Sequence, residues 1–145
     1  MKILVEFILF GDDFPVDEVA ANIGIENCEI GHVGEPVYGG PGKKFFIRNE
    51  DCSWIQYSTG YVETIYTEIP LKMMHDVLYK KKDIIRKAIE QYSLTSKLCI
   101  VLCLSDNPAI GIQQEMVELA AYLKAHFEFD TTMDYDEEER PILRR

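Results

Sequence analysis

Gly11-Asp12-Asp13-Phe14-Pro15-Val16-Asp17-Glu18-Val19-Ala20-Ala21-Asn22-Ile23-Gly24 is where an apolar strand gives way to a helix with legible ends. Residues 2–10 before it are almost wholly apolar, the pattern of a strand buried inside a sheet. Gly11-Asp12-Asp13 interrupts that run. Pro15 suits a first helical turn, and Asp17 and Glu18 suit the positive end of the helix dipole. Gly24 suits its left-handed cap. A helix is therefore predicted over about 15–23, with Val16, Val19, Ala20 and Ile23 on its apolar face, and Asp13 is the expected cap.

Outward from this stretch the elements alternate. A second strand is expected over Cys28–Val33, followed by a Gly- and Pro-rich loop over 34–42. Phe45–Ile47 and Ser53–Thr59 read as strand, either one bent strand or two. Leu71, Met74, Leu78, Ile85, Ala88, Ile89 and Tyr92 keep helical spacing and predict one long helix from about 70 to 92. Leu98–Leu104 is a buried strand. Ala109–Gln113 is a short strand, and a third helix covers about 114–127. Phe129, Thr131, Met133 and Tyr135 then alternate with polar residues, as in a half-exposed final strand.

That order predicts an α+β two-layer sandwich: a mixed, mainly antiparallel sheet with about three helices, a ferredoxin-like core and added strands. A plain ferredoxin-like order would put the Leu98–Leu104 strand at an edge. So apolar an edge would invite aggregation, so an added strand is expected to cover it. Residues 1–135 form a single domain on this reading, and 136–145 a charged tail.

At 145 residues the chain is long enough to bury a core without a disulfide or metal. A net charge of −10 argues against nucleic acid, whose binding needs Lys and Arg at the phosphates. Residues 1–70 hold twelve of the acidic groups against four basic ones, which suits steering of a basic partner. No apolar run approaches the roughly 18 residues of a membrane span. Residues 2–10 are too short for a signal peptide with its cleavage site. Cys28, Cys52, Cys99 and Cys103 lack paired Cys-x-x-Cys spacing, and Cys99 and Cys103 are too far apart along one strand to bridge. Four free thiols, no membrane association and a cytoplasmic location are expected.

Catalytic and ligand-binding patterns are weak. Gly39-Gly40-Pro41-Gly42-Lys43-Lys44 lacks both the first Gly and the Ser or Thr of a phosphate-cradling loop, and reads as a hairpin turn. Asp130, Asp134, Asp136 and Glu139 lack calcium-loop spacing and its glycine. His32, His75 and His126 are far apart, with no nucleophile signature beside them. No catalytic residue, metal site or cofactor is expected. Trp54 and Gln56 should share one sheet face, with Ile55 and Tyr57 on the other. Tyr38 and Tyr61 are the better exposed aromatic anchors.

Taken in order, Gly11-Asp12-Asp13-Phe14-Pro15-Val16-Asp17-Glu18-Val19 with Ile23-Gly24-Ile25, Gly34-Glu35-Pro36, Ser53-Trp54 through Ser58-Thr59, Asn107-Pro108 and Phe129-Asp130 resemble the DUF4279 family, mainly bacterial domains of unassigned function. The family's Gly-Asp-Pro-like loop usually follows a tryptophan or basic residue; here Gly31-His32-Val33 stands before it. The resemblance implies the fold first. It also implies a likeness to small acidic bacterial immunity proteins that neutralise toxins.

The resulting expectation is a non-enzymatic protein-interaction domain, immunity-protein-like, that binds a basic protein partner such as a toxin through an acidic surface. Asp12, Asp13, Glu35, Tyr38 and Tyr61 are the expected contacts. The alternative is a small-molecule-binding or cryptic enzymatic domain using the 34–44 loop with His32, Tyr38 and Trp54.

Overall fold

The computed structural model describes residues 1–133, so Tyr135, the tail at 136–145, and Asp134, Asp136 and Glu139 lie outside the described residues. Strand β1 (Lys2–Gly11) occupies the middle of the main sheet. Its odd-numbered residues Ile3, Val5, Phe7 and Leu9 are fully buried on one face. Glu6, Ile8 and Phe10 are half-buried on the other. Along one side of β1 run β5 (Ser53–Ser58) and then β6 (Val62–Glu63), both antiparallel to it. On the other side lies β7 (Thr95–Leu104), paired from Lys2↔Cys103 to Phe10↔Thr95.

The short β2 (Glu29–Gly31) pairs with β5 at one edge, and β8 (Ala125–Met133) runs parallel to β7 at the other, giving the order β2-β5-β1-β7-β8. The first four of these strands form the antiparallel ferredoxin-like core. The fifth is the added strand, and it makes the Leu98–Leu104 segment internal. Leu98, Ile100 and Leu102 are accordingly buried, as their unbroken hydrophobicity requires.

Helices α1 (Val16–Ile23), α2 (Glu68–Tyr79), α3 (Lys82–Tyr92) and α4 (Gln114–Tyr122) cover one face of this sheet. Their apolar stripes join the buried face of the strands in a single cluster that includes Phe7, Ile55, Val19, Leu78, Ile89 and Leu119. Burial of each such side chain stabilises the fold by roughly 1.5–3 kcal/mol. Trp54, Gln56, Lys97, Cys99, Val101 and Cys103 lie half-buried on the opposite face. The two-layer α+β architecture is therefore present, with the four helices of the described residues on one side.

Several boundaries differ from the sequence expectation. The long 70–92 helix is two helices, broken at Lys80–Lys81, where Lys81 leaves helical geometry and its N–H bonds the Leu78 carbonyl at 3.0 Å. The apolar spacing hides the break because Leu78 and Ile85, seven residues apart, are both fully buried on either side of it. Helix α4 ends at Tyr122, and a turn at Lys124 with φ 55° places His126 and Phe127 in β8 rather than at a helix C-terminus. Residues 109–113 form an isolated bridge, Tyr66↔Ala109, in place of a strand.

The second strand is only Glu29–Gly31. The 34–42 loop contains β3 (Pro36–Gly39), which pairs with β4 (Phe45–Asn49) in a separate hairpin. The expected cap at Asp13 is absent, because Pro15 occupies the N-cap position and its carbonyl accepts the first helical bond, from Val19 N at 3.0 Å. Gly24 does take the left-handed cap, with φ 70°. The four cysteines are unpaired; Cys99 and Cys103 sit on the sheet face away from the helices, outside the main core.

Candidate interaction surface

The register of the sheet gathers three loops at one end. Gly11 pairs with Ser53 and Gly31 with Trp54, so the β1–α1, β2–β3 and β4–β5 connections emerge together. Ser53, fully buried, accepts a bond from Val33 N at 3.0 Å through its hydroxyl. Gly34 N donates to the Glu50 carbonyl at 2.8 Å, and Glu50 N donates to the Glu35 carbonyl at 2.7 Å. These bonds bring the carboxylates of Glu35, Glu50 and Asp51 to the same end as Asp12, Asp13, Asp17 and Glu18.

Two basic side chains, His32 and Arg48, are set among these acids. His32 Nε2 lies 2.9 Å from Asp17 Oδ2, in the first turn of α1, and His32 Nδ1 contacts Glu35 Oε1. Hydrogen bonds to Asp17 and then to Glu35 raise the His32 pKa above its ordinary value. The His32 ring thus bridges the helix to the β2–β3 loop. Arg48 Nη1 lies 3.5 Å from Glu50 Oε2 and 3.8 Å from Asp51 Oδ1. The remaining acids, Asp12, Asp13 and Glu18, are exposed, so the end as a whole is negative.

Beside this end projects the β3–β4 hairpin. Gly40 and Gly42, with φ 78° and 68°, supply the left-handed residues its turn needs, and Lys43 and Lys44 stand at its tip. Phe45, Phe46 and Ile47 are 66%, 58% and 60% exposed. Tyr38 meets Phe46 edge-on at 6.1 Å. Three consecutive apolar residues exposed on both faces of a two-stranded ribbon form an apolar patch of the kind that marks an interaction site.

The expected site residues fall into three groups. Asp12, Asp13 and Glu35 share the acidic end, and Tyr38 stands on the adjoining hairpin. Tyr61 lies at the other end of β1, past the β5 terminus, and is exposed there. His32 and Trp54 face opposite ways. Trp54 covers Gly31 on the open sheet face, where a Cβ on Gly31 would lie 2.2 Å from the indole Nε1. His32, one residue on, points to Asp17 on the helix side.

Asp17, Phe45, Phe46 and Ile47 belong to this surface and were not expected there. An apolar triplet in a strand ordinarily signals burial on both faces, so its periodicity argues against exposure. Glycines at 39, 40 and 42 were the available sign that the triplet belongs to a short hairpin.

A family model described as "Domain of unknown function (DUF4279)" matches residues 1–134. Among curated proteins and solved structures, nothing matches the chain.

Proposed function

Because the chain belongs to the DUF4279 family, a membership that carries no assigned activity, we propose from its surface that it is a non-enzymatic interaction domain binding a basic protein partner. The contact runs over the acidic end of the sheet and onto the hairpin beside it. The observation that carries the reading is this adjacency of seven carboxylates to an exposed Phe45-Phe46-Ile47 ribbon. Charge guides the encounter and aromatic burial holds the complex, the division of labour found at steered interfaces. A small, strongly acidic protein that sequesters a cationic toxin in a bacterial cytoplasm has these properties, so the immunity-like role is part of the proposal. Four unpaired cysteines accord with a reducing compartment. No helix among the described residues is long and apolar enough to cross a membrane.

The test starts from capture of partners from native bacterial lysate by the wild-type chain. The captured protein is then measured kinetically against two variants. Asp12→Asn/Asp13→Asn/Glu35→Gln should lower the on-rate, and the wild-type on-rate should fall as salt shortens the Debye length below about 8 Å. Phe45→Ser/Phe46→Ser should raise the off-rate instead. A partner whose rates ignore salt and both variants would sink the proposal.

A further inference from the structure

A cleft of about 450 Å³ opens far from the acidic end, between the α1–β2 turn, the end of β5 and the exposed side of α2. One wall is apolar: Ile25, Met73, Met74 and Val77 line it, and Met73 and Val77 are exposed residues of α2. Its volume lies within the range of small-molecule sites, roughly 300–1,000 Å³. Methionine side chains suit such a wall, since unbranched thioethers adapt to a ligand's shape.

Its polar lining is rich in donors. Tyr57 contributes to the lining and is only 2% exposed; its hydroxyl is fully shielded and has no hydrogen-bond partner among the described residues. Buried polar atoms in native proteins are rarely left this way. Burial also raises the Tyr57 pKa, so the group remains a donor. At the rim stand Lys80 and Lys81, neither of which forms an ion pair among the described residues. They occupy the break between α2 and α3. Lys81 Nζ reaches toward Gly24, 3.8 Å from where a Cβ would sit there. Among the described residues Glu26 is the one carboxylate of the lining, against these two ammonium groups.

Two lysines against one carboxylate at the edge of an apolar wall locally disfavour a cationic head group and suit an anionic one, while a neutral hydrocarbon would leave these polar groups without a partner. We propose that this cleft binds a small amphipathic anion of the medium-chain carboxylate class. The apolar chain lies on Met73, Met74 and Val77, and the carboxylate meets Lys80 and Lys81. This site is independent of the acidic end and of any protein partner. The 34–44 segment takes no part in it.

The test uses the full chain with sodium octanoate, 1-octanol and octylammonium as probes, which share a chain length and differ in head-group charge. Calorimetry should give saturable one-to-one binding of octanoate. NMR of methyl-labelled methionine should place it by shifts at Met73 and Met74. Octanol should bind at least tenfold more weakly, and octylammonium should not saturate. Lys80→Gln/Lys81→Gln, at surface positions, should bring octanoate down to the octanol level. Val77→Trp, also on the exposed side of α2, should abolish binding by filling the cleft. Absence of saturable octanoate binding would overturn the proposal. So would equal affinity for octanoate and octanol, or unchanged affinity in the lysine variant.

Discussion

Replacement of Thr67 by Val removes two partly buried hydrogen bonds while nearly preserving shape. Thr67 is fully buried immediately before α2, and its hydroxyl works in both directions. It donates to the Gly111 carbonyl at 2.8 Å and accepts from Gly111 N at 2.9 Å. Backbone bonds reinforce the junction: Thr67 N to the Ala109 carbonyl at 3.2 Å, and Ala109 N to the Ile65 carbonyl at 2.7 Å. The side chain therefore ties the start of α2 to the segment leading into α4. Each lost bond is worth about 0.5–1.5 kcal/mol net, and a buried partner left unsatisfied adds about 1–3 kcal/mol. Gly111 is half-buried, so water recovers part of that second cost.

The expected total for Thr67→Val is about 2–3 kcal/mol. Near 150 residues that corresponds to a fall in Tm of roughly 6–10 °C. Thr67→Ser keeps both bonds and loses one buried methyl, at about 1 kcal/mol. Urea unfolding followed by circular dichroism reads both variants, with the midpoint shifting and the slope unchanged. If Thr67→Val falls within about 0.5 kcal/mol of wild type, the two-bond argument is wrong. The same holds if Thr67→Ser costs as much as Thr67→Val.

Two further outcomes are expected. His32 has a folded-state pKa raised above the ordinary 6.5, so its ion pairs with Asp17 and Glu35 stabilise fully below that value and are lost as pH rises through the folded one. The difference in urea midpoint between wild type and His32→Gln should shrink from pH 6 to pH 9, and NMR titration of the imidazole should show the raised pKa; a difference that does not change with pH contradicts the bridge. Thiol titration of the denatured, unreduced protein should return all four cysteines as free, and a lower count with a matching mass loss would reveal a disulfide.

Strand β1, helix α1 and strand β7 were legible because burial leaves a direct trace in composition. The unbroken apolar run of Leu98–Leu104 even called for a covering strand before any topology was known, and β8 is that strand. The 70–92 segment was less legible. Hydrophobic phase records which face is buried, and a break that preserves the phase, as between Leu78 and Ile85, leaves no mark in it. The 114–127 segment failed for a related reason. Phe127 continues the stripe of Leu119 and Leu123, yet its burial comes from β8, where it pairs with Leu98.

The candidate surface divides in the same way. Sequence alone determined the excess of acid, its concentration in the first half of the chain, and the glycines that permit a turn at 40–42. Those are sums over residue types and local conformational preferences, which need no partner elsewhere in the chain. Only the tertiary structure decided that Asp17 and Glu35, eighteen positions apart in sequence, close on His32. It alone turned Trp54 to the opposite face, exposed Phe45, Phe46 and Ile47, and left the Tyr57 hydroxyl without a partner among the described residues, beside a lysine-rimmed cleft. Each of these depends on which strands pair and in what register, and register is set by the whole sheet.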